Sequence, residues 1–486
     1  MMESKQYVVA LEISSSKIVG VLGEPKPDGG VEILDIEAER SLNCVRWGCI
    51  QNVEETKVRV NRVIARLEDR IAPKKITGVY VGVSGRSLHN YFMNISTTFS
   101  DERMVTEGVV DALKERYYSE AEVQSGDILE VIPCQYFVDN NEISNPIGAY
   151  GTSVKVQFNG VVAKKTLKMN IERALDSQYS LKYVVTALAM GEHILTNEER
   201  QLGCMLVDFG AEITTVSIFR RGVLQYLATL PMGSHLITRD LTNLNVVEEA
   251  AEEIKKTSGN AIPSDSGRSI LVDGVQSTDV QNYVVARCEE IVANINEQIA
   301  YSGLSRDNIA AGIVLVGGGS QLNGFNRLVE EMTKLKVRFG SIPASVVLHD
   351  RAARGIEYLQ VISIVAQAAA MMKPGDSCVQ EPAPVEPEVP VDETESETVQ
   401  TQQVGDDDGP IPYPSVKAET GKKTSKSDDV DSGNDSDNSN DDDWEEEHRG
   451  GKSVIQMWHK LKDKITDVFK ESEDDFDDED NNRRNN

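Results

Sequence analysis

The stretch Met205-Leu206-Val207-Asp208-Phe209-Gly210-Ala211-Glu212-Ile213-Thr214-Thr215-Val216 decides how the chain is read. An apolar run ends in an acid, turns through a glycine, passes hydroxyl side chains and re-enters an apolar run, the pattern of strand, loop and strand. About 195 residues earlier, Leu11-Glu12-Ile13-Ser14-Ser15-Ser16-Lys17 follows the same plan between the apolar runs 7–11 and 17–22. Two such openings predict a duplicated α/β core.

Working outward, Pro25, Pro27 and Asp28-Gly29-Gly30 mark a loop. Val53, Val60, Ile64 and Leu67 recur at helical spacing until Pro73, and 79–83 (VYVGV) reads as a buried strand. Residues 84–163 break the pattern. They hold a helix near 106–118, the run VIPCQYFV at 131–138 and the alternating SVKVQFNGVVA at 153–163, an inserted α+β module. A helix near 166–176 resumes the core, 239–310 is strongly helical, and a strand enters a glycine loop at 313–319.

The chain has 486 residues and a net charge of −29. Residues 1–373 carry 38 basic and 46 acidic side chains, whereas 374–486 carry 12 and 33. Neither part offers the basic face that displaces counterions from phosphate backbones, so no nucleic-acid partner is expected. Six scattered cysteines without a CxxC pair argue against a zinc site or a disulfide framework. The opening residues lack a signal-peptide pattern, and the longest apolar run, 362–372, is too short to span a bilayer. A cytoplasmic protein is expected.

Four stretches carry the candidate chemistry. In the first, Ser14, Ser15, Ser16 and Lys17 suit phosphate oxygens, and Glu12 suits Mg²⁺ held through water. In the second, Gly210 and Thr214 repeat the phosphate role and Asp208 the magnesium role. Gly317, Gly318 and Gly319 follow a buried strand and let backbone approach a flat ligand without Cβ clashes, with Ser320 next to them as a further candidate at the ribose and adenine. Glu252 and Lys255 share a helix face, where a carboxylate can take ribose hydroxyls while the lysine stem packs on a base. In isolation each piece also reads as an ordinary hairpin, turn or surface ion pair.

Their order, phosphate loop, second phosphate loop, Glu-x-x-Lys helix and glycine loop, resembles that of actin-like ATPases. LEISSSK at 11–17, VYVGVSG at 79–85, VIPCQYFVD at 131–139 with NPIG at 145–148, AEEIKKTSG at 251–259 and LVGGGSQLNGF at 315–325 resemble the FtsA family of bacterial cell division proteins. The resemblance implies an actin-like ATPase fold of duplicated RNase H-like domains, with an SHS2-like subdomain 1C in place of 1B. It divides the chain into 1A (1–83, 164–200 and 351–373), 1C (84–163), 2A (201–238 and 311–350) and 2B (239–310). It also implies ATP and Mg²⁺ as ligands, self-assembly, tethering of FtsZ through its C-terminal tail, and recruitment of other division proteins at the septum. The chain departs from the family at Ser14, which stands for glycine, and at Ala211-Glu212-Ile213 in the second loop. Between Tyr183 and Glu192 it has no Gln or Glu to orient an attacking water, so ATP binding with slow or absent hydrolysis is expected.

Residues 374–451 are rich in Pro, Glu, Asp, Ser and Asn and read as a disordered acidic linker. At 452–470 helical periodicity returns. Val454, Trp458, Leu461, Ile465, Val468 and Phe469 fall within an arc of roughly 120°, Ile455 lies outside it, and Lys462 and Lys464 flank it. Such a helix suits the membrane interface, as a protein-docking helix would be the other reading. FtsA-type proteins carry such an anchor to the cytoplasmic membrane. An acidic tip at 471–486 opposes anionic lipid. Two other functions share the superfold. A sugar kinase would need a carboxylate base beside a polar pocket, and an actin-like ATPase of pilus assembly would not be expected to carry 374–486.

Overall fold

The computed structural model describes residues 5–381 except 124–125, 176, 264–270, 273 and 350–354. The expected anchor at 452–470 and tip at 471–486 lie outside the described residues, as does the expected linker beyond 381.

Two sheets are built on one plan. Val8–Ile13, Lys17–Pro25 and Val31–Arg40 form an antiparallel meander, and Gly78–Val83 and Ser180–Val185 add in parallel on the other side of Val8–Ile13. Cys204–Phe209, Thr214–Arg220 and Val223–Leu230 repeat the meander, and Ile313–Val316 and Val337–Phe339 repeat the parallel pair. The first strand of each meander is buried along its whole length. That explains its unbroken apolar run, since a strand covered on both faces has no solvent side to alternate toward.

Helix Val53–Asp69 covers one face of the first sheet. It is capped by Asn52, whose side chain accepts from Glu55 N, and it buries Val60, Val63, Ile64 and Leu67. All of the 362–372 run but Met372 lies in helix Leu359–Met371, packed against strand Val8–Ile13 and helix Thr186–His193 as interior structure. Among the described residues, no helix is long and apolar enough to cross a membrane. Helices Glu248–Ser258 and Ser277–Tyr301 form the helical part of the second domain around Ile254, Val284, Cys288, Ile291 and Ile295.

The insertion folds as its own layer. Strands His89–Met104, Gly126–Val138, Asn141–Ile143 and Tyr150–Lys164 pack Ile95, Val131, Val156 and Phe158 against Leu113 and Tyr117 of helix Glu107–Glu120. A bridge between His89 and Ala228 joins this layer to the second sheet, which thereby counts nine strands.

Two borders read from the sequence are corrected. Strand Val346–Leu348, placed with 2A, pairs in parallel with Val31–Arg40 of the first sheet. Gly30 permits this, because a Cβ there would lie 2.5 Å from Ser345 O, the acceptor of the Val31 N–H. Residues 374–381, expected as the start of the linker, lie on the body. Val379–Gln380 pairs with Lys75–Ile76, Cys378 N–H donates to Tyr7 O over 2.8 Å, and Lys74 reaches Glu381 at 2.7 Å. Cys378 is only 5% exposed. Pro374, Gly375, Asp376 and Ser377 share the linker's composition, which hid this strap. A chain ending at Lys373 should therefore be less stable than one ending at Glu381 by about 2 kcal/mol, from lost apolar burial and backbone hydrogen bonds. Thermal or urea unfolding checks this, and equal midpoints would show the strap to be dispensable.

Candidate functional site

The meander turns and the parallel strand ends meet in a cleft of about 590 Å³ between the two domains. Register dictates the meeting. Glu12 is level with Gly82 and Asp208 with Val316, so the loops that follow, at Ser84 and Gly317, open beside the two acids. Residues expected from four distant stretches line this cleft together: Glu12, Ser14, Ser15, Ser16 and Lys17; Asp208 and Gly210; Glu252 and Lys255; Gly317, Gly318 and Gly319. Thr214 and Ser320 are not among the lining residues. Both are buried, and their hydroxyls donate to Met232 O over 2.6 Å and Gly317 O over 2.7 Å.

The departures from the family pattern have local explanations. Ser14 does not adopt a positive φ, so no glycine is needed there, and its hydroxyl turns back to Lys17 O over 2.8 Å. Ala211, Glu212 and Ile213 likewise avoid positive φ. Gly317 is different: its φ is 85°, and a Cβ would fall 2.5 Å from Phe209 O and 2.6 Å from Asp208 Oδ1. Only glycine fits that junction.

Glu12 is 3% exposed and Asp208 5%. Glu12 Oε2 and Asp208 Oδ1 have no hydrogen-bond partner, while Asp208 Oδ2 accepts from Gln360. Burial, reinforced by Asp208 and opposed mainly by Lys17, pushes Glu12 up to about 7. Burial, opposed by the Gln360 hydrogen bond, pushes Asp208 up to about 6. Lys17 is lowered by burial against the pull of Glu12 and Glu357. Its ammonium donates to Glu357 O over 3.0 Å and stands 3.9 Å from the Tyr358 ring centroid. Two desolvated carboxylates with orphaned oxygens suit a hard cation. Among the described residues no group of three or more His, Cys, Asp or Glu is placed to hold a metal alone. The donor set therefore fits a magnesium ion held through water and ligand oxygens.

On helix Glu248–Ser258, Lys255 Nζ donates to Glu252 Oε2 over 2.6 Å, to Thr238 Oγ1 over 3.0 Å and to Ser234 O over 3.2 Å. Burial lowers Lys255, while Glu252 is held below its ordinary value by Lys255 and Thr238 although burial opposes this. The pair is locked, with the lysine inside and the carboxylate on the cleft wall.

Sequence reasoning missed Gly48, Ser84, Lys256, Gln321, Glu357 and Gln360, all of which line the cleft. Gln360 opens an apolar helix whose periodicity signals only core, and Glu357 belongs to no spacing pattern. Ser84 was legible as the residue after the strand 79–83, because loops at the carboxyl ends of parallel strands form ligand crevices.

The acids make stability depend on pH. Between about 4.5, the ordinary carboxyl value, and about 7, folded Glu12 holds a proton that the unfolded chain has released. Ligand-free protein thus loses stability through that window as pH rises. Glu12→Gln should be more stabilised over wild type at about pH 7.5 than at about pH 5.5. Thermal unfolding at the two pH values checks this, and an equal difference at both would contradict it.

The chain matches the family profile described as "Cell division protein FtsA" over residues 205–363 and that described as "SHS2 domain inserted in FTSA" over 85–162. It is 30% identical over 354 residues to the cell division protein FtsA of Porphyromonas gingivalis, covering 68% of this chain and 73% of that one. With the Escherichia coli K12 protein of the same name it shares 26% over 362 residues, covering 69% and 84%. The solved structure described as a PilM-PilN type IV pilus biogenesis complex resembles it in fold, with a TM-score of 0.52, 16% identity, and coverage of 75% of this chain and 97% of that one. The duplicated sheets, the inserted α+β layer and this degree of identity along the chain together place it in the FtsA family of cell division proteins.

Proposed function

We propose that the cleft binds ATP with Mg²⁺, and that the protein self-assembles and tethers FtsZ filaments to the cytoplasmic face of the membrane at the septum. The observation that carries the nucleotide reading is the convergence of four distant stretches around two buried, partner-less carboxylate oxygens, Glu12 Oε2 and Asp208 Oδ1. Ser15, Ser16, Lys17 and Gly210 would face phosphate oxygens, Glu12 and Asp208 the magnesium hydration shell, and Glu252 with Gly317, Gly318 and Gly319 the nucleoside. Bound magnesium would neutralise phosphate charge. The residues themselves position the phosphates and exclude water.

Hydrolysis is slow or absent in this reading. Helix Thr186–His193, within the 183–192 stretch that lacks a water-orienting Gln or Glu before Glu192, gives no residue to the cleft lining. Purified full-length protein should retain ATP in the presence of Mg²⁺, and Asp208→Asn should weaken that retention about tenfold, roughly 1.4 kcal/mol. Turnover on the order of 1–100 per second, as in kinases, would sink the slow-hydrolysis reading.

The tethering reading rests on family membership and on the apolar arc of Val454, Trp458, Leu461, Ile465, Val468 and Phe469 flanked by Lys462 and Lys464. FtsZ and other division proteins are the proposed partners. Full-length protein should carry FtsZ filaments down with liposomes, and a chain ending at Glu381, which keeps the strap, should not. Recruitment by both, or by neither, would refute the tether.

A further inference from the structure

Glu212 lies on the second phosphate loop and lines the cleft, where an unpaired carboxylate would repel a polyphosphate. It is not unpaired. Arg46 Nε stands 2.5 Å from its Oε1, and the Trp47 N–H donates to its Oε2 over 2.6 Å. Arg46 and Trp47 belong to the first domain, in the hairpin formed by Val45–Arg46 and Cys49–Ile50. The next residue, Gly48, donates its N–H to Ser15 Oγ over 2.9 Å. Three consecutive residues of one turn thus tie the phosphate loop of each domain to the other.

The turn is held firmly. Trp47 and Gly48 have φ of 49° and 70°, unfavourable for a bulky residue and sustained only where the surroundings fix it. The Trp47 ring has the guanidinium carbons of Arg46 and Arg86 at 5.2 and 5.0 Å, and Arg86 N–H donates to Trp47 O over 3.1 Å. A Cβ on Gly48 would lie 2.8 Å from Gly85 Cα and 3.1 Å from Ile213 Cδ1, so the turn is wedged between both domains. The Glu212 side chain is 10% exposed and that of Arg46 35%, so the carboxylate end of the pair is shielded from water and salt more than in a surface ion pair.

We propose that Glu212 is a positioning residue: paired with Arg46 and Trp47, it latches the 45–50 hairpin across the cleft and sets the rate at which nucleotide leaves. This rests on the nucleotide-binding reading. The latch has two parts with different consequences. Removing the charge of Glu212 loosens the hairpin but removes a repulsive group. Removing Arg46 loosens the hairpin and also strands an anion beside the phosphates.

Release of a fluorescent ATP analogue from full-length protein, chased with excess ATP, tests this. Glu212→Gln, which keeps an acceptor for the Trp47 N–H, should speed release about tenfold. Arg46→Met should speed it further, Arg46→Lys should restore slow release, and adding Glu212→Gln to Arg46→Met should bring the rate back toward that of Glu212→Gln alone. A contact that merely stabilised the fold would show its coupling in the unfolding midpoints and leave the release rates unmoved. Hydrogen exchange at the Trp47 amide in ligand-free protein should quicken in Glu212→Gln and Arg46→Met. Additive release rates, unchanged release or unchanged exchange overturn the latch alone. A wild-type protein that retains no nucleotide overturns the latch together with the reading beneath it.

Discussion

Glu12 and Asp208 constrain everything around them. Each stands at the cleft end of the first strand of its meander, each is withdrawn from water, and each keeps one oxygen without a partner. Dehydrating a carboxylate costs several kcal/mol even after relaxation. Neither acid can swing back to solvent, because Val8–Ile13 and Cys204–Phe209 are buried from end to end and paired on both sides. Core packing therefore holds the acids in place, and protonation or a cation relieves them.

The same strands decide what the acids face. Antiparallel pairing on one side brings the hydroxyl and glycine turns over them, and parallel pairing on the other brings Ser84 and Gly317 alongside. Because the plan occurs twice, the cleft receives two turns and two acids from opposite walls. A duplicated fold makes a cleft with two matching walls without any long-range signal in the sequence beyond the repeat itself.

Much of this was legible because it is written in local patterns. The apolar runs at 7–11 and 204–207, the acid that follows each, and the glycines at 317–319 each carry a backbone reason visible in the residues alone. The hydroxyls of Thr214 and Ser320 serve backbone carbonyls, because a hydroxyl near a turn bonds a carbonyl as readily as a ligand, and where the side chain points is not written in the sequence. Gln360 and Glu357 were invisible, since only tertiary packing carries the start of helix Leu359–Met371 to Asp208. The strap at 374–381 was hidden for the opposite reason: its composition is that of a solvated linker, while Cys378 alone supplies its buried anchor.

The inserted layer belongs by chain order to the first domain, yet several of its hydrogen bonds run to the second. His89 pairs with Ala228, Leu227 N–H donates to Asn90 Oδ1 over 2.7 Å, and Asn159 Nδ2 donates to Leu224 O over 3.0 Å. Arg221 adds an ion pair with Glu142 at 2.8 Å, exposed and of small worth. Asn159 is buried with its Oδ1 unpaired, so its one bond to Leu224 O cannot be exchanged for water without opening the junction. Three residues before His89, Arg86 touches Trp47, and Trp47 touches Glu212 on the cleft wall. The layer is thus held directly by the second domain, and also by Trp47 of the first domain, which itself bonds Glu212 of the second. A change in the angle between the domains must either carry the layer with it or break these bonds, so cleft opening and the placement of the inserted layer are one mechanical problem.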